Sequence, residues 1–152
     1  PMNDGKLSNP KDALADKKIP LWLLSPIAKV HWALAQFAGL CKYGSFNWRI
    51  AGVRSSVYLS AIERHLDAYT SGEEFDPVDG THHLGNIMAC CAIILDAKEA
   101  GKLTDDRPPS ISLRKSYEFG EDVMARLKRQ YHDKSPRHYT IADSETDHHN
   151  VM

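Results

Sequence analysis

Ile87-Met88-Ala89-Cys90-Cys91-Ala92-Ile93-Ile94-Leu95 is a run of apolar residues without a break. At 3.6 residues per turn it covers about 2.5 helical turns, so apolar side chains emerge on every side. Such a segment needs neighbours all round, which places a helix in the middle of a bundle. The helix is expected from His82 to about Ala100, capped by Asp79 or Thr81 and stopped near Gly101. Cys90 and Cys91, with Cys41 the only thiols of the chain, read as small core residues suited to a reducing cytoplasm.

Working outward, a preceding helix is expected from about Val53 to Ser71. On a wheel of 100° per residue, Leu59, Ile62, Leu66 and Tyr69 share a stripe, with Ser60, Arg64 and Ala68 opposite. Glu63 and Asp67 flank that stripe on one side and His65 on the other. The stretch from Ser71 to Gly80 is a connector by its Gly, Pro and Asp content. Ser25-Pro26 opens an earlier helix, Pro26 to about Lys42, which Gly44 ends. Tyr43 to Gly52 reads as a loop or a broken turn of helix. Beyond Arg107-Pro108-Pro109-Ser110, a fourth, amphipathic helix covers Leu113 to about Tyr131. Residues 1–19 form an extended polar arm, 20–134 the helical catalytic domain, and 135–152 a polar tail. No stretch alternates as a strand does, so the fold class is all-α.

The 152 residues, 42% hydrophobic and 26% charged, suit one globular domain. A formal net charge of -1 gives no general attraction to nucleic acid. A membrane span is not expected, since Ile27 to Leu40 is interrupted by Lys29, His31 and Gln36. The polar start carries no pattern of a secretory leader.

Glu63 and Asp67, four apart, project from one helix face and can reach one divalent cation. Exposed acidic pairs at this spacing are common, so their place beside an apolar stripe is what singles them out. The connector adds Glu73, Glu74, Asp76 and Asp79, and the next helix opens with His82, His83 and Asn86. Oxygen ligands favour magnesium or manganese, and added imidazole tilts the choice toward manganese or a softer ion. Lys42-Tyr43-Gly44-Ser45-Phe46-Asn47-Trp48-Arg49 gathers cations, an amide and aromatic faces. Such a cluster can stack a purine on Trp48, read its edge with Asn47 and neutralise phosphate with Lys42 or Arg49, and Arg64 is a further cation for that task. The plainer reading is a Trp-anchored loop packed on the core.

Lys42-Tyr43-Gly44 with Asn47-Trp48-Arg49, then Arg64-His65-Leu66, Gly72-Glu73 with Asp76, and Gly80 ahead of His83-Leu84 form an ordered series. Over roughly residues 5–100 the chain resembles the phage dATP/dGTP diphosphohydrolase family, a branch of the MazG-like nucleotide pyrophosphohydrolases. The resemblance implies an all-α, MazG-like helical bundle that assembles as a homodimer or homotetramer. It implies cleavage of a purine deoxynucleoside triphosphate, dGTP before dATP, to the monophosphate and pyrophosphate, in control of the nucleotide pool during phage infection. It also implies two or more Mg2+ or Mn2+ ions, with Glu63 and Asp67 catalytic and metal-holding. The family's second acidic motif is missing here, where the chain reads His83-Leu84-Gly85-Asn86. Asp76, Asp79 or the more distant Asp96 would supply the charge, with His83 a further ligand and Asn86 toward the substrate. Two other classes compete. His132-Asp133, with His65 upstream, suggests an HD-type phosphohydrolase, and solvated acidic faces suggest a non-catalytic helical binding or regulatory protein.

Overall fold

A computed structural model describes residues 9–144. Six helices follow one another: α1 (Pro10–Ala15), α2 (Pro26–Tyr43), α3 (Trp48–Ala51), α4 (Ser55–Thr70), α5 (His83–Glu99) and α6 (Arg114–Gln130). The four long helices lie where the sequence expects them, and α3 is the broken turn between Tyr43 and Gly52. The arm is not extended throughout: Asn9 accepts from the Lys11 N–H at 2.9 Å and Pro10 presets the first turn, which starts α1. Positions 1–8 of the expected arm and 145–152 of the expected tail lie outside the described residues.

As the apolar run predicts, α5 is central, and the principal packing of both α2 and α4 is against it. The contact with α2 is close because Gly85 faces the backbone of His31. A Cβ at Gly85 would stand 2.5 Å from the His31 carbonyl oxygen and 2.8 Å from its carbon. Alanine ordinarily beats glycine inside a helix by about 0.5–1 kcal/mol. Here the sign reverses: Gly85→Ala is expected to destabilise by about 1–3 kcal/mol, as overpacking does. A urea midpoint equal to or above that of the unsubstituted chain would contradict this close approach.

α4 and α5 form an antiparallel hairpin whose far ends are tied together. β1 (Val53–Arg54) and β2 (Leu103–Thr104) pair in parallel, Val53 opposite Leu103. Two residues are too few to show alternation, so the sequence gives no strand signal. Gly52, at φ +77°, lets the chain turn against Lys102, whose carbonyl accepts from the Val53 N–H at 3.0 Å. Arg54 gives α4 no side-chain cap. Asp106, from beyond β2, accepts from the Ser56 N–H at 2.8 Å and from its hydroxyl instead.

The helix layer is thin. Among the described residues the buried apolar positions are Ala35, Ala89 and Ala97, all small. Leu95 of the apolar run is 69% exposed, so α5 is covered on two sides rather than all round. α6 presents Tyr117, Phe119 and Met124 largely to solvent. No described helix is long and apolar enough to cross a membrane.

Candidate functional site

The connector between α4 and α5 is short of regular structure but held at several points. The Asp76 N–H donates to the Thr81 carbonyl at 2.8 Å and the His83 N–H to the Glu74 carbonyl at 2.9 Å. Asp76 Oδ1 also accepts from the Val78 N–H at 2.8 Å. The cap of α5 is His82, whose Nδ1 accepts from the Leu84 N–H at 3.0 Å, and not Asp79 or Thr81 as expected. Thr81 is buried and its hydroxyl donates to Asn86 Oδ1 at 2.8 Å, which ties the connector to the first turn of α5.

These bonds set a cluster at the connector end of the hairpin. His83 is buried, and its Nε2 meets Glu73 Oε1 at 2.7 Å. Its Nδ1 lies 2.8 Å from Nδ1 of His65 on α4. His65, Asp76 and His83 each offer a donor atom, and the three atoms lie within 4.8 Å of one another. Burial holds the His65 pKa below its ordinary value, and the facing His83 adds to this, so the imidazole stays neutral. Imidazole nitrogens beside a carboxylate suit a divalent metal ion.

Of the residues expected at the site, Asp76 and His83 come together, and Asn86 lies one turn away. Lys42 is brought to the same connector by a 2.6 Å ion pair with Asp79. That bond raises the Lys42 pKa, so the amine stays charged. Glu63 and Asp67 are exposed, not half-buried as their place beside the stripe implies. Each is two residues from His65, about 200° round the helix, so neither faces the cluster. The expected apolar stripe is not the packed one. α4 turns Tyr58, Ala61, Ile62, His65 and Ala68 inward and leaves Leu59 and Leu66 more exposed.

Asp96 cannot supply the charge missing at His83. Thirteen residues separate them on one helix, roughly 20 Å at 1.5 Å per residue. Asp96 is engaged there by Trp48 Nε1 at 2.7 Å and by Arg49 through Nε and a terminal nitrogen, both at 2.8 Å. These bonds pull its pKa down to about 2. The Arg49 guanidinium also sits 4.5 Å from the Phe46 ring centre. Trp48 and Arg49 thus tie their loop to α5. Asn47 opens α3 without a side-chain cap bond, and Arg64 is exposed on α4. His132, of the His-Asp pair, is exposed at the end of α6, with Nδ1 3.0 Å from the Arg129 carbonyl.

A family model described as "dATP/dGTP diphosphohydrolase, N-terminal" matches residues 8–107, about two thirds of the chain. The chain belongs to this family of diphosphohydrolases, enzymes whose description names purine deoxynucleotides as substrates. The match spans α1 to β2 and so contains the whole cluster, whereas α6 lies beyond it. Comparisons with curated proteins and with solved structures return no match.

Proposed function

We propose that the chain hydrolyses a purine deoxynucleoside triphosphate between its α and β phosphates, releasing the monophosphate and pyrophosphate. dGTP is preferred to dATP, and the activity trims the nucleotide pool during phage infection. The observation that carries this reading is convergence. Lys42, His65, Asp76 and His83 come from four separate motifs, and one connector gathers them at one end of the hairpin. Phosphate needs both cation charge and metal ligation, and this end of the molecule offers both.

His65, Asp76 and His83 would hold one of two or more Mg2+ or Mn2+ ions, which when bound would supply electrophilic charge to the phosphate oxygens. Lys42 and Arg64 add positive charge toward the leaving pyrophosphate, and Asn86 holds the substrate beside them. Asn47 reads the purine edge and the Trp48 face stacks on it. Arg49 is left out of the substrate site because Asp96 already holds its guanidinium on two sides. Glu63 and Asp67 act from the outer flank of α4, where one carboxylate accepts the proton of the attacking water. For that they require a second copy of the chain facing them.

Surface area supports the second copy. The chain exposes 13352 Å², against about 7,800 Å² for a compact monomer of this mass. A surface larger than a compact monomer's is what a second copy can cover. An apolar groove of about 850 Å³, lined by Trp32, Phe37, Leu40, Phe46 and Leu95 among others, lies on that uncovered side of α5. We assign the chain to a homodimer, or a homotetramer built from it.

Incubation with each dNTP and Mn2+ tests the reaction. dGTP should give dGMP and pyrophosphate in equal amounts. Triphosphate or stepwise phosphate would favour an HD-type enzyme, and no turnover a binding protein. Glu63→Gln and Asp67→Asn should each lower turnover at least tenfold with the assembly intact. Unchanged rates in both would remove the outer pair from the reaction.

A further inference from the structure

The two imidazoles hold the most selective chemistry in the chain. His83, with a side chain 4% exposed, gives Nε2 to Glu73 at 2.7 Å. An ionised carboxylate only accepts, so Nε2 carries a proton, and in the neutral ring, the form that binds an ion, Nδ1 keeps its lone pair. That lone pair faces Nδ1 of His65 at 2.8 Å, and an Asp76 oxygen completes a set spanning no more than 4.8 Å. Two ligands about 2.1 Å from an ion, on adjacent corners of an octahedron, stand about 3.0 Å apart. The two nitrogens are already near that separation.

We propose that His65, Asp76 and His83 form a two-histidine, one-carboxylate site for a first-row transition ion. The site selects Mn2+, Fe2+, Co2+ or Zn2+ over Mg2+, and Glu73 is the positioning residue that fixes the His83 tautomer. Mg2+ takes oxygen ligands and sheds water reluctantly, whereas imidazole favours the later ions, with affinity rising from Mn2+ to Co2+. Three protein donors leave coordination positions open, the form of a site that takes a further ligand rather than a closed structural one. Glu63 and Asp67 point about 200° away on α4 and take no part in it. The assignment deepens the metal role proposed for this cluster, and because ion binding is read without turnover, its failure is distinguishable from failure of the nucleotide reaction.

Co2+ added to the metal-stripped full chain tests it through the visible absorption of the bound ion. One equivalent should bind with a nitrogen-ligand spectrum that a hundredfold excess of Mg2+ does not displace. His65→Asn and Asp76→Asn should abolish that band, Glu73→Gln should weaken binding by about 10–100-fold, and His132→Ala should leave it unchanged. Because a variant can fail by unfolding, the unsubstituted chain gives a second readout. Zn2+ should shift one ring nitrogen of each of His65 and His83 in long-range proton–nitrogen NMR spectra, with the Nε2 proton of His83 retained. Displacement by Mg2+, a tight equivalent surviving in folded His65→Asn, or unshifted His65 and His83 rings would each overturn the proposal.

Discussion

An Asp76→Asn chain keeps its fold and loses deoxynucleotide hydrolysis by at least about 100-fold. The fold survives because the amide oxygen can accept from the Val78 N–H as Oδ1 does now, and the backbone bonds to Thr81 and Gly80 are untouched. What disappears is one negative charge, beside two imidazoles and in reach of Lys42. A factor of 100 corresponds to about 2.7 kcal/mol. That is modest against the several kcal/mol a well-held divalent ion contributes to a transition state. Turnover at saturating Mn2+, with a thermal melt alongside, measures both halves. Wild-type turnover in a folded variant would take the cluster out of the reaction.

Leu95→Asp is expected to turn an assembled enzyme into an inactive monomer at micromolar concentration. In a single chain this residue is 69% exposed, and a polar replacement there would change stability by no more than about 0.5 kcal/mol. If a second copy covers α5, the same change buries a carboxylate without a partner, which costs several kcal/mol and shifts the equilibrium to separate chains. Light scattering on the eluting protein distinguishes the two. A variant with the mass and turnover of the unsubstituted chain would refute the covered face.

The helices were legible in the sequence because their ends carry local chemistry. Ser25 caps α2 at Ala28 and Gly44 closes it, both within a few residues of the helix they bound. The apolar run gave α5 its central place for the same kind of reason. The inward face of α4 was not legible, because large apolar residues were taken to mark it. Here α4 turns the small Ala61 and Ala68 inward and leaves Leu59 and Leu66 more exposed. A polar residue at helical spacing between Tyr58, Ala61, Ile62 and Tyr69 was the available sign that His65 faces inward. Asp96 was misplaced for another reason. Its partners Trp48 and Arg49 are 48 and 47 residues away, and no local pattern reports that pairing.

The ties at Val53–Leu103 and Ser56–Asp106 bring together chain positions fifty residues apart. All the donors of the cluster, from His65 to His83, lie inside the ring so closed. The entropy of joining its ends grows only with the logarithm of its length, so this ring can form from its own hairpin contacts before either flank docks. The flanks are then free to diverge. The arm, or everything beyond Asp106, can then change while the hairpin that carries the cluster is inherited as a single unit.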